Sequence, residues 1–215
     1  MRTLGLWALA LSGALLAGAL HAGPLTRAQA LAALAQPEAA ARLSAVARLA
    51  EIGTKADADK LVERLRDDDD RVRESASAAI WQIWSRSGDA AIDKLFARGL
   101  AQMQGAEFNA ALATFSEIVR RKPAFAEGWN KRATLYFLLG QHDQSLRDCD
   151  AVLKRNPNHF GALSGAGQIH LQLGHPREAL GFFRRALEVN PNLDGPAQMI
   201  PILEQHLLDK GRNTT

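Results

Sequence analysis

Pro123, Pro157 and Pro191 stand 34 residues apart, and the residues before each follow one order of small, aromatic and apolar types. A fixed period of this length marks a repeat array, in which each unit buries its apolar face only against its neighbours. The middle unit reads Trp129, Ala133, Tyr136, Gly140, Ser145, Cys149, Val152, Leu153, Pro157. The next reads Leu163, Gly167, His170, Gly174, Ala179, Phe183, Ala186, Leu187, Pro191, and the one before reads Leu95, Gly99, Gln102, Gly105, Ala111, Phe115, Ile118, Pro123. Trp129 and Tyr136 lie seven apart, so two helical turns put them on one face. Ala133 and Gly167 are small enough to let two antiparallel helices approach. Gly140 and Gly174 suit the left-handed position that ends a helix. Phe115 and Phe183 fill the gap between helix pairs, and each proline stops the second helix of its unit. The spacing predicts an all-α, right-handed α-solenoid of helix-turn-helix repeats.

This pattern resembles the tetratricopeptide repeat over about residues 90–191, with three units placed at 89–191. The first unit departs from it. Gln102 stands where an aromatic is usual, and Gly105 comes one residue early. The second unit has Cys149 where a large aromatic usually packs, so a looser contact is expected there.

Residues 24–88 are helical in another style. The run Arg42–Ile52 aligns with Arg73–Ile83 at an offset of 31, with Arg, Ser, Ala, Ala and Ile identical. Ala58, Leu61, Val62 and Leu65 make a helical stripe between them. The junction Asp69-Asp70-Arg71-Val72-Arg73 resembles that of HEAT-like repeats, where an aspartate caps a helix that carries an arginine. Asp67–Asp70 therefore reads as an acidic loop and cap, since a cation would need more converging oxygens. Gly88-Asp89 is the seam, and no linker separates the two halves. One continuous solenoid follows, with Trp81 and Trp84 packed across the seam or one of them free as an anchor.

The ends differ from the array. Met1-Arg2 heads an apolar stretch, Leu4–Leu20, and no acid precedes Glu38. That is the pattern of a secretory signal peptide over 1–22, with an uncleaved inner-membrane anchor as the alternative. Cys149 is the single cysteine, which excludes both an intramolecular disulfide and a lipid-bearing cysteine at the mature start. Residues 192–209 carry a stripe of Ala197, Ile200, Leu203, Leu207 and Leu208, expected to cap the last unit. The chain holds 26 basic and 23 acidic residues. This balance argues against a nucleic-acid partner, which requires a basic face.

No zinc-binding His-Glu-x-x-His, phosphate-cradling loop or nucleophile elbow occurs, so no catalytic residue, cofactor or metal is expected. The glycines of Gly161–Gly167 fall inside a repeat helix, where they serve close packing or a shallow groove floor. By resemblance to tetratricopeptide arrays, the first helices of the units line a concave groove. Its contacts here would be Phe96 and Met103 from the first unit, Asn130, Lys131 and Thr134 from the second, and Gln168, Leu171 and Gln172 from the third. The amides would bond an extended peptide and Lys131 a carboxylate. This set only partly matches the two-carboxylate clamp of cytosolic co-chaperones. The expected function is a non-catalytic scaffold of a bacterial-type periplasm that binds a peptide or partner protein. The alternative is a structural subunit that self-associates through its repeats.

Overall fold

The computed structural model describes residues 23–212. The leader expected at 1–22 lies outside the described residues. Those residues form eleven α-helices: α1 (Arg27–Ala33), α2 (Ala39–Ile52), α3 (Lys55–Arg64), α4 (Asp70–Trp84), α5 (Ala90–Gln104), α6 (Phe108–Arg121), α7 (Ala126–Leu138), α8 (His142–Arg155), α9 (Phe160–Gln172), α10 (Pro176–Val189) and α11 (Asp194–Arg212). The chain is all-α, with sequential helix pairs α5–α6, α7–α8 and α9–α10 stacked on one another and closed by α11.

The pairs close through a size exchange. In the first and third units the small slot is glycine and the filler is phenylalanine. A Cβ on Gly99 would lie 2.6 Å from Phe115 Cζ, and one on Gly167 would lie 2.5 Å from Phe183 Cε1. Both rings are fully buried. In the middle unit the slot is Ala133 and the filler is the smaller Cys149. The Ala133 methyl returns only part of the volume that Cys149 gives up, and a crevice of about 90 Å³ beside this pair carries the looser contact expected of Cys149.

Turn chemistry follows the glycines. Gly140 and Gly174 have φ of 71° and 74°, and the amides after them, Gln141 and His175, donate to Tyr136 and His170 carbonyls at 2.8 Å. In the first unit Gly105 comes too early, and Ala106 takes the left-handed conformation, with φ 57°. Glu107 N–H still donates to Gln102 O at 2.8 Å, so the turn is kept at the cost of a strained alanine.

The N-terminal half has its own core of Ala45, Val46, Leu49, Leu61, Val72, Ile80 and Ile83, formed where α2 and α3 pack on α4. The 31-residue repeat is visible in its loops. Arg42 donates to Gln36 O and Pro37 O at 2.9 and 2.7 Å, and Arg73 donates to Asp67 O and Asp68 O at 2.7 and 3.4 Å. Each arginine braces the carbonyls five and six residues before it. Asp69 caps α4, accepting from Arg71 N–H at 2.9 Å, while Asp67 turns inward and is held by Arg42 at 2.7 and 2.8 Å.

One expectation is corrected. α4 does not pack along α5, so the stack is not continuous across residues 85–89. Trp81 and Trp84 reach past the neighbouring unit to α9. Trp81 packs edge-on to Phe160 at 5.3 Å, and Trp84 stacks on His159 at 4.5 Å. The other edge of the same half is tied to the α10–α11 turn. There Asn192 donates to Leu65 O at 2.7 Å and Arg66 donates to Glu188 O and Val189 O. The short loop at Gly88, with φ 74°, lets the half fold back over the repeats.

Candidate interaction surface

The first helices α5, α7 and α9 form one face, and α7 touches α9 directly. At the start of α9, His159 caps the helix with its side chain. Its Nδ1 accepts from Ala162 N–H at 3.0 Å, while Nε2 sits 2.5 Å from Glu127 Oε1. An accepting Nδ1 fixes the proton on Nε2, which donates to the carboxylate. Glu127 Oε2 accepts from Asn130 Nδ2 at 3.1 Å and lies 3.9 Å from Lys131 Nζ. Glu127 and His159 are fully buried. Burial raises the Glu127 pKa, but the bond to His159, with the positive charge of Lys131 and the Asn130 amide, outweighs it and holds the carboxyl below its usual value. A buried charge is tolerated only when paired in this way.

Two tryptophans roof this network. Lys131 Nζ lies 5.4 Å from the Trp81 ring centre. Trp81 also meets His159 edge-on at 5.4 Å. Gly161 is the residue that admits it, because a Cβ there would lie 2.5 Å from Trp81 Cη2. Of the two roles expected of Gly161, close packing or groove floor, it is close packing that the contact with Trp81 shows.

Beyond the indoles the face is open. Asn130, Thr134 and Gln168 meet on the crevice between α7 and α9, whose walls include Phe137 and Ile169 and whose floor holds Ser145 and Cys149. Thr134 and Gln168 are exposed. Gln172 follows one turn on, also exposed, while Leu171 packs into the cluster around α11.

The remaining groove candidates fall elsewhere. Phe96 is buried and packs edge-on to Phe115 and Phe125 at 5.7 and 5.3 Å. It is core rather than a contact, because Phe125 closes over it from the next unit. Met103 packs against the same core. Asn130 and Lys131 face the groove but are committed to Glu127. Sequence reading missed His159, Phe160 and the tryptophans as parts of this face. The available signal was His159 directly before a helix, at a capping position. Nothing local signalled that tryptophans 78 and 75 positions earlier would cover it.

The Cys149 thiol is pushed up to about 12 by burial and by Asp148 and Asp150, so it stays protonated. Among the described residues no three His, Cys, Asp or Glu side chains gather as a metal site, and no helix is long and apolar enough to cross a membrane.

The repeats match two tetratricopeptide repeat models, over residues 96–148 and 125–192. Residues 96–192 are thus matched as tetratricopeptide repeats. A TPR repeat-containing protein of Rhizobium etli is 34% identical over 134 residues, which is 62% of this chain and 66% of that one. Superkiller complex protein 3 of Homo sapiens is 28% identical over 109 residues, 50% of this chain and 6% of that one. The chain therefore spans less than two thirds of these curated relatives.

Among solved structures, the Sgt2 TPR domain from Aspergillus fumigatus is similar at TM-score 0.54 and 20% identity, covering 59% of this chain and 85% of that one. The first TPR of Spaghetti, bound to an HSP90 peptide, is similar at 0.53 and 21%, covering 54% and 93%. The Yersinia enterocolitica chaperone SycD, in complex with a peptide of the translocator YopD, is similar at 0.52 and 14%, covering 55% and 95%. At these identities the likeness is one of fold.

Proposed function

We propose that this chain is a non-catalytic protein-interaction module that holds an extended peptide segment of a partner on the face lined by α5, α7 and α9. The observation that carries this is the α7–α9 crevice. The exposed Thr134 and Gln168 supply hydroxyl and amide groups beside the apolar walls of Phe137 and Ile169. Such a surface bonds a peptide backbone and seats one apolar side chain. The peptides bound by the Spaghetti and SycD repeats agree with this use of the fold. Residues 24–88 are read as a HEAT-like pair, a reading supported by the matching braces of Arg42 and Arg73. The periplasm is the proposed location, from the leader pattern of residues 1–22. An alkaline phosphatase fusion to those residues tests it, activity meaning export.

A displayed library of random twelve-residue peptides tests the binding surface. Selected peptides should bind the native chain and lose at least tenfold in affinity to Thr134→Arg/Gln168→Arg. Peptides that bind both equally place the site elsewhere. The second reading, self-association through the array, has the exposed Ile202 and Leu208 of α11 in its favour, and sedimentation of the native chain as a monomer removes it.

A further inference from the structure

The covered half of the same face points to a more specific ligand. Residues 24–88 have a core of their own, to which the repeats contribute one fully buried side chain, Phe160. Trp81 packs at the margin of that core. It is partly buried, and it also meets His159 and Phe160 edge-on at 5.4 and 5.3 Å. Trp84, three residues on, stacks on His159 with 20° between the rings. The repeats are shaped to receive these rings. Gly161 lacks the Cβ that would strike Trp81. Lys131 places a cation over the indole, and the Glu127 carboxylate holds His159 in the tautomer and orientation that present its face to Trp84.

We propose that Glu127, Lys131, His159, Phe160 and Gly161 form a receptor for two indole side chains presented three residues apart on a helix. α4 is its resident occupant, and a partner helix of the same pattern takes its place. Exchange takes Phe160 away from the core of residues 24–88 and uncovers Trp84, while α4 stays packed on α2 and α3 through Val72, Ala76, Ile80 and Ile83. It breaks the aromatic contacts and the edge bonds from Arg66 and Asn192. The residues 85–89 then act as the hinge. This rests on the reading of the first-helix face as the binding surface, and it adds the class of partner and the means by which the site is kept closed.

The probe is a fluorescein-labelled peptide of the α4 sequence, residues 70–84, titrated by anisotropy into the full chain. The Trp81→Ala chain, which frees one of the two indole positions, should bind it at least tenfold more tightly than the native chain. A peptide with both tryptophans replaced by alanine should bind neither. Equal binding to native and variant, or none to a variant that keeps its helical circular dichroism, overturns the proposal. Gly161→Ala gives a second reading that leaves α4 unaltered. It should move tryptophan emission to longer wavelength at unchanged helicity, and an unmoved spectrum sinks the idea even if Trp81→Ala fails to fold. Peptides selected on the Thr134–Gln168 crevice separate the two claims. If they bind while the α4 peptide does not, this proposal fails alone. If the α4 peptide binds Trp81→Ala while they do not, the receptor stands and the crevice reading fails.

Discussion

Ala106 shows how one residue out of register is carried by a repeat. Its φ of 57° costs an L-residue about 1 kcal/mol that glycine does not incur. Ala106→Gly should therefore raise unfolding free energy by about 1 kcal/mol, and Gly140→Ala should lower it by a similar amount, both read from urea denaturation. No change in either would remove the strain argument. Buried carboxylates give a prediction in pH. Arg27, bonded to Asp57 at 2.7 and 2.5 Å, holds that carboxyl below its usual value against the opposing effect of burial. For Asp67, burial is the largest influence and raises the pKa, but the hydrogen bond from Arg42 and its charge outweigh it. A depressed folded pKa means stability that is present above the unfolded value, about 3.9, and lost as pH falls through the folded one. The native chain should lose stability below about pH 4, and Asp67→Asn should flatten that limb. The same slope in both would contradict the assignment. The turn and cap residues were legible because backbone geometry demands them within a few positions. The inward turn of Asp67 was not, since its partner Arg42 lies 25 residues away.

At the scale of the element, the repeats trade volume between two slots. Units one and three pair Gly with Phe, and the middle unit pairs Ala133 with Cys149. Cys149→Phe alone should destabilise by about 1–3 kcal/mol through overpacking against the Ala133 methyl. Adding Ala133→Gly recreates the arrangement of Gly167 and Phe183 and should return part of that loss, giving a coupling of about 0.5–3 kcal/mol in a double-mutant cycle. A coupling near zero would mean the two slots do not meet. Helix order, repeat length and slot identity could all be read from the chain, because a 34-residue period repeats each local choice three times. Phe96 could not be placed, because the first unit is degenerate. Whether that position is groove or core depends on Phe125 closing over it from the next unit.

At the scale of the molecule, the sequence describes two helical halves and the structure folds one onto the other. Sequential neighbours were the natural expectation for a solenoid, and the absence of a linker argued for a continuous stack. What decides otherwise is a set of long-range contacts with no periodic signature. The indoles of α4 meet the start of α9, where His159 and Phe160 supply two rings and Gly161 lacks a Cβ. The face left open runs from Thr134 to Gln172. Its use as the partner surface is the centre of this account. A photoreactive benzoyl-phenylalanine at position 134, 168 or 147 in living cells tests it, since Arg147 lies exposed on the second helix of the middle unit. Positions 134 and 168 should cross-link to the same discrete partner and position 147 should not. Cross-linking from position 147 alone, or equally from all three, would contradict it.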